Sequence, residues 1–181
     1  MSKIKVFCFG FGQVAKYFVK KIVKEKTSLE LNVTSRKNTH NLIFEGLDLN
    51  SYEFNNNKID KNINTKVQDA DFVLISIPPI EDEDIVLKKF KETLKKTKPK
   101  WITYLSATSV YGNHDGEWVN EESETKPTST SGIKRLQAEN QWLKFSFDNN
   151  LPLQIFRLSG IYSNQNNILK RLISGQAKIV K

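Results

Sequence analysis

Hydrophobic positions fall in short, dense runs along this chain, separated by turns rich in Gly, Pro and Asn. Ile4–Phe9 is a compact apolar run bounded by glycines, the pattern of a strand buried on both faces. After Gly12 the period changes: Val14, Phe18 and Ile22 fall four apart and give one apolar face to a helix that ends in lysines around Lys24. Residues 29–34 alternate and predict a second strand, and residues 41–44 a short third. Residues 49–65 are rich in Asn and show no clear period, so a loop that adds little to the core is expected there.

The second half repeats the alternation. Residues 72–77 form the next buried run, stopped by Pro78 and Pro79. The acidic residues 81–84 precede Val86, Phe90 and Leu94, with lysines at the far end, charges that suit both ends of a helix dipole. Residues 101–105 predict a fifth strand, which runs into the stretch YLSATSVYG at 104–112. A polar loop over 113–127 leads to a helix from about 131 to 147, whose expected core face is Ile133, Leu136, Leu143 and Phe147. Leu153–Leu158 predicts a sixth strand, and Ile168–Ile173 starts another helix. Strands alternating with helices predict an α/β fold, a doubly wound parallel sheet with right-handed crossovers. Ligands bind such sheets at the carboxyl ends of the strands, where the strand order reverses.

Composition narrows the classes further. A chain of 181 residues with 38% hydrophobic positions is long enough for one sizeable core and one domain. The net charge of +8 invites a nucleic-acid reading. The cations are mostly lysines scattered among Asn and Ile, however, with arginines only at 36, 135, 157 and 171, and no predicted face interleaves bases with aromatics. The charge is therefore read as compositional, and no nucleic-acid partner is expected. Cys8 is the only cysteine, sits in an apolar run and is read as inert filling; no intrachain disulfide is available. The basic, apolar start of the chain is too short and too soon polar for a secretion signal, and no segment reaches the roughly 20 apolar residues that span a bilayer. A soluble, cytoplasmic protein with no membrane partner is expected.

Candidate chemistry gathers at the predicted strand exits. GFGQVA places Gly10, Gly12 and Ala15 in a G-x-G-x-x-A pattern between a strand and a helix opened by Gln13 and Val14. Gly10 permits the tight turn, Gly12 admits a pyrophosphate close to backbone, and Ala15 lets helix and strand pack closely. The second strand exits through Thr34, Ser35, Arg36 and Lys37, hydroxyls and cations where an NAD site usually offers an acid. They suit a 2′-phosphate and so NADP in preference to NAD. Asp48 and the Leu49 backbone are candidates for an adenine edge, although Asp48 could equally cap a turn. Ser76 to Pro79 could wall the cofactor. His40 and His114 fall in loops without a paired acid or metal-ligand spacing, so no metal site is expected. Glu121, Glu122 and Glu124 read as a solvated loop near the substrate mouth.

The glycine turn, TSRK, LSATSVYG, EWVNEE, RLQAE and FRLSGIYS, in this order, resemble the short-chain dehydrogenase/reductase superfamily. Within it they are similar to the extended and atypical NAD(P)-dependent epimerase/dehydratases, also described as nucleoside-diphosphate-sugar epimerases. The resemblance implies a Rossmann domain over residues 1–181 with bound NAD(P), to which Leu158 and Ser159 also contribute. It also implies a sugar-nucleotide substrate oxidised transiently by hydride transfer. The family extends about another hundred residues past this point as a substrate lobe, a span typical of an added domain; that lobe is expected to be largely absent here.

The family's chemistry uses a Ser or Thr four residues before the Tyr of VYG, and a Tyr with a Lys four residues later on one helix face. Here the first position is Ala107, flanked by Ser106 and Thr108. In the helix the pair is Thr130 with Lys134, or, if the frame is set by Ala138 and Glu139, Ser131 with Arg135; neither supplies a tyrosine. Lys134, Thr130, Ser106 and Tyr111 are the candidate catalytic residues, with Tyr162 a second phenol near the rim. Two functions stay open: an NADP-preferring epimerase, dehydratase or reductase, and a non-catalytic NADP-binding sensor or interaction module.

Overall fold

The computed structural model describes residues 3–25, 28–37, 42–80, 82–163 and 167–175. Its elements in chain order begin with β1 (Ile4–Phe9), α1 (Gln13–Lys24), β2 (Leu29–Ser35), β3 (Leu42–Phe44), β4 (Leu47–Glu53), α2 (Ile63–Gln68) and β5 (Phe72–Ile75). There follow α3 (Ile85–Thr97), β6 (Trp101–Ala107), a 3-10 turn over Thr108–Val110, α4 (Thr130–Asn149), β7 (Leu153–Leu158) and α5 (Ile168–Ile173). The strands form one sheet in the order β3-β4-β2-β1-β5-β6-β7. Every pairing is parallel except the short β3, which turns back antiparallel on β4.

This order positions a ligand cleft. From β1 the chain steps outward through β2 to β4, then returns to lay β5 on the other side of β1 and continues to β6 and β7. Connections leaving the carboxyl ends of β1 and β5 therefore go to opposite faces of the sheet, and a crevice opens between them.

Alternation along β1 feeds a core on each face. Val6 and Cys8 pack with Ala15 and Val19 of α1 and with Leu31 and Val33. Phe7 and Phe9 face the layer of α2, α3 and α4, where Phe9 meets Phe90 at a centroid distance of 5.0 Å. Burial without a nearby cation pushes the Cys8 thiol up to about 12, so the thiolate is not available at neutral pH. Asp84 caps α3, accepting from the amides of Val86 and Leu87 at 2.9 and 3.2 Å. Among the described residues no helix is long and apolar enough to cross a membrane.

Four expectations change. The Asn-rich segment 49–65 is not all loop: β4 runs into it as far as Glu53, α2 starts within it at Ile63, and Leu49, Ser51, Tyr52 and Ile63 are buried. Strand pairing with β2 overrides the weak local propensity of Asn and Ser. The expected run 72–77 stops pairing at Ile75, two residues before the expected end, whereas the run from Trp101 extends to Ala107 because β7 pairs with it from Ile102 to Ala107. The core face of α4 is Gly132, Ala138, Glu139 and Trp142, while Ile133, Leu143 and Phe147 are exposed. The burial of Trp142 against Tyr104, at a ring distance of 6.0 Å, sets the rotation of this helix. Asn41, His40 and Glu81 lie outside the described residues.

Candidate functional site

A cleft of about 960 Å³ lies where the sheet order reverses. Its floor is the glycine turn of Gly10, Phe11 and Gly12; one end is walled by Thr34, Ser35 and Arg36 with residues 53–58, the other by Ser76, Ile77, Pro78, Ile80 and Ile85. Gly10 has φ +84°, a backbone that L side chains rarely adopt, and a Cβ there would come within 2.8 Å of Ser76 Oγ. Its amide donates to Thr34 Oγ1 at 2.7 Å, so Thr34 ties the turn to β2. Ser76 closes the other side, its amide and hydroxyl both donating to the Phe9 carbonyl at 2.9 and 3.1 Å.

Gly12 is different in kind. Its backbone is ordinary and extended, and a Cβ would meet nothing within 4 Å. Glycine is therefore not needed there for the fold; it keeps open the space in front of the α1 N-terminus, where a pyrophosphate fits against free backbone N–H groups. Gln13 follows on the helix, its side-chain amide reaching the Tyr162 carbonyl at 3.5 Å.

At the adenosine end, Arg36 is exposed, and among the described residues its guanidinium makes no ion pair. Its carbonyl accepts from Asn55 Nδ2 at 3.0 Å, which draws the 53–58 turn against the end of β2. That turn was missed in the sequence. It brings Glu53, whose carboxylate is bound by Lys58 at 2.8 Å and by Asn55 at 3.1 Å, into the cleft wall. Its only sequence signal, a polar turn after an alternating strand, is hidden in a segment where Asn is common throughout.

Several expected cofactor contacts are not brought to the cleft. Asp48 and Leu49 lie in the amino half of β4, with Asp48 paired across to Ile43 and Leu49 buried, so the carboxyl-end residues from Glu53 onward take the wall instead. Val14 and Leu158 point to the opposite face, where they line a separate apolar groove with Phe18, Trp101 and Phe156. Lys37 and Ser159 are exposed outside the cleft wall.

The expected catalytic residues are divided by burial. Ser106 is 3% exposed and Tyr111 6%, and neither lines the cleft. The Arg157 guanidinium lies 4.8 Å from the centre of the Tyr111 ring and is itself gripped by buried Glu139 at 2.8 and 3.2 Å. That pair holds the guanidinium firmly charged, its carboxylate partner raising the Arg157 pKa above the ordinary value. Tyr104 is a phenol that sequence reasoning passed over, but it is fully buried, and desolvation raises its pKa well above that of a free phenol. Tyr162 is 75% exposed, near the glycine turn. On α4, Thr130 is exposed, Lys134 Nζ donates to the Ile80 carbonyl on the cleft wall, and Arg135 Nη1 donates to the Leu105 carbonyl at 3.0 Å.

The turn after β6 is fixed by Gly112. It has φ +74°, and a Cβ there would lie 2.0 Å from the carbonyl oxygen of Lys126, which pairs with it across the base of the 113–125 loop. Gly112→Ala is expected to cost about 2 kcal/mol or more and to free that loop. A fall in melting temperature with new proteolytic cleavage in 113–125 checks it; an unchanged melt refutes it.

No protein-family model matches the chain, and no curated protein does. Among solved structures, a functionally unknown conserved protein from Silicibacter pomeroyi DSS is 28% identical, with TM-score 0.68, over 87% of this chain and 53% of that one. UDP-glucuronic acid 4-epimerase from Bacillus cereus, solved in complex with NAD, gives TM-score 0.75 at 16% identity over 94% of this chain and 64% of that one. UDP-N-acetylglucosamine 4-epimerase from the same organism gives 0.69 at 16% identity over 94% and 66%. The chain thus spans between 53% and 66% of the length of these three structures. Among its structural neighbours are UDP-sugar epimerases, and the chain carries their Rossmann-type fold.

Proposed function

We propose that residues 1–181 form one nicotinamide-dinucleotide-binding domain of an epimerase-like protein that prefers NADP and acts on a nucleotide sugar or related small molecule by hydride transfer. The observation that carries this reading is Gly12: a glycine with no conformational need to be one, keeping space open at a helix N-terminus in the cleft at the sheet reversal. The cofactor's pyrophosphate would lie there, its adenosine toward Arg36 and Asn55, and its nicotinamide between Ser76, Pro78 and Ile80. The dinucleotide supplies the hydride acceptor. The chain supplies the dry wall of Ile77, Ile80 and Ile85, and a cation, Lys134, at the mouth. Solved relatives in complex with NAD and UDP-sugars support the coarser part of the reading.

Preference for NADP rests on Arg36, an exposed guanidinium at the end of β2 with no acid beside it on that strand. Arg36→Ala is expected to weaken NADPH about 10- to 100-fold, the worth of one charge-assisted hydrogen bond, and NADH less than about twofold. Titration of both cofactors by nicotinamide fluorescence reads this directly. Equal losses would remove the 2′-phosphate argument, and no binding of either cofactor by the wild type would remove the whole reading.

A second reading, a non-catalytic NADP-binding sensor or interaction module, is favoured by one observation. Among the described residues no phenol lines the cleft, and Thr130 and Ser131 stand where α4 would carry one. An aliphatic hydroxyl titrates far above a phenol and is a poor proton donor. Turnover with a panel containing UDP-glucose and UDP-glucuronic acid separates the two: measurable hydride transfer favours the enzyme, and tight NADPH binding without turnover favours the module.

A further inference from the structure

The wall at the Arg36 end of the cleft is a built turn. β4 pairs in parallel with β2 until Glu53 stands beside Ser35, and the Phe54 amide then donates to the Ser35 carbonyl at 2.9 Å. Phe54 is buried with its ring edge-on to Phe9 and Phe90, which anchors the turn in the core. Asn55 closes it with every hydrogen-bonding position of its side chain. Its Oδ1 accepts from the amides of Asn57 and Lys58 at 2.9 and 2.8 Å, and its Nδ2 donates to the Arg36 carbonyl at 3.0 Å and to Glu53 Oε1 at 3.1 Å. One side chain thus ties the backbones of Arg36 and Lys58 together, and both residues line the cleft. Fixing them in advance lowers the cost of ordering them around a ligand.

The charges on this wall are arranged to favour one cofactor. An NAD site offers the ribose a carboxylate as hydrogen-bond acceptor. Among the described residues Glu53 is the acid that lines the cleft, and both of its oxygens are held, Oε1 by Asn55 at 3.1 Å and Oε2 by Lys58 Nζ at 2.8 Å. Lys58 therefore answers the charge of Glu53 within the turn, and Arg36 remains as a surplus cation. An ammonium has three donors, so holding Glu53 leaves Lys58 capacity for phosphate oxygens. Its side chain is 64% exposed against 16% for Glu53, which makes the lysine the member of the pair that a ligand in the cleft can reach. An ion pair with so exposed a member is worth about 0–1 kcal/mol, and Lys58 can lean towards a phosphate at little cost. Lysines are common over this surface, but among the described residues Lys58 is the one that lines the cleft.

We propose that Lys58 is a second specificity-determining cation of the cofactor site: it grips the 2′-phosphate of NADP from the β4 side while Arg36 grips it from the β2 side, and it neutralises the one acid on that wall that would serve NAD. This rests on the cleft being a dinucleotide site with its adenosine at Arg36. Discrimination then has two parts, an attraction for the phosphate and the withdrawal of an acceptor that the unphosphorylated ribose would use.

The test measures NADPH and NADH affinity on wild type, Lys58→Met, Lys58→Arg and Arg36→Ala. Lys58→Met keeps a stem of similar length and removes the charge; it is expected to weaken NADPH about tenfold, the worth of one hydrogen bond to a charged group. NADH is expected to bind to it as to wild type, within about twofold, or more tightly because Glu53 is released, and that retained binding reports an intact site. Lys58→Arg keeps the charge and is expected to hold NADPH within about threefold of wild type. Adenosine 2′,5′-bisphosphate against adenosine 5′-monophosphate repeats the comparison without the nicotinamide half, and the same tenfold loss is expected for the bisphosphate alone. The proposal is overturned if Lys58→Met leaves NADPH unchanged or weakens both cofactors equally, or if Lys58→Arg loses as much as Lys58→Met, which would assign the loss to the turn and not to the charge. In each of these cases a selective loss of NADPH in Arg36→Ala would leave the NADP reading standing without Lys58. A wild type that binds both cofactors equally removes this proposal and the NADP preference but keeps the dinucleotide site, and one that binds neither cofactor nor the bisphosphate removes all three.

Discussion

Gly12→Val is expected to leave the fold intact and abolish dinucleotide binding. The backbone at Gly12 has φ −79° and ψ −171°, open to any residue, and a Cβ meets nothing within 4 Å, so a side chain can leave the backbone there without strain. A fall in melting temperature of only a few degrees follows, because Gly12 is the N-cap of α1 and valine caps less well than glycine at a cost of about 1 kcal/mol. The isopropyl group, however, fills the approach to the α1 N-terminus, where a pyrophosphate would accept backbone N–H bonds. Loss of two such charge-assisted bonds is worth at least about a hundredfold in affinity. The paired control is Gly10→Ala, which fails for the other reason: φ +84° and a 2.8 Å approach to Ser76 Oγ make that glycine a requirement of the fold. If Gly12→Val bound NADPH as wild type does, the cleft would not be the cofactor site.

The second large effect is on stability. Glu139→Ala leaves Arg157, four-fifths buried, without its carboxylate, and breaking a buried pair in this way costs about 3–5 kcal/mol. Because Arg157 retains some exposure and the ring of Tyr111 beneath it, the low end, about 3 kcal/mol, is expected. At this chain length that is a fall in melting temperature of about 6–12 °C. Replacing both partners, Glu139→Met with Arg157→Met, should recover most of the loss, because an apolar pair leaves no charge unpaired. A double variant no more stable than Glu139→Ala would mean that the ion pair itself, and not its uncompensated remnant, carries the energy. The pair joins α4, β7 and, through Tyr111, the turn after β6, so the same melt reports on how firmly the rim of the cleft is held.

These two residues mark different degrees of legibility. Gly12 could be read from the sequence because a glycine-rich turn between an apolar run and a helical period is a local pattern, complete within ten residues. Glu139 could not: a lone acid in an amphipathic helix reads as solvated, and only the parallel placement of β7 beside β6 brings Arg157 beneath it. The same division separates Arg36 from Glu53. The first follows directly from a strand that alternates clearly, whereas the second stands at the exit of a strand whose Asn, Ser and Asp residues give no local strand signal until β2 pairs with them.

By itself the sequence determined the alternation of strands and helices, the glycine turn at the first strand exit and the cationic end of the second. All of these depend on residues close together in the chain, where period and turn chemistry act directly. It also showed that α4 carries no tyrosine in either register. The tertiary structure alone decided which face of α4 is inside, because Trp142 against Tyr104 outweighs an apolar stripe at Ile133, Leu143 and Phe147 that the helical period marks equally well. It alone moved the cleft wall from Asp48 to Glu53, and it alone brought Arg135 of α4 to the Leu105 carbonyl on β6. Those facts depend on pairings between residues that are distant in the chain, and a pairing of that kind leaves no periodicity in the sequence of either partner.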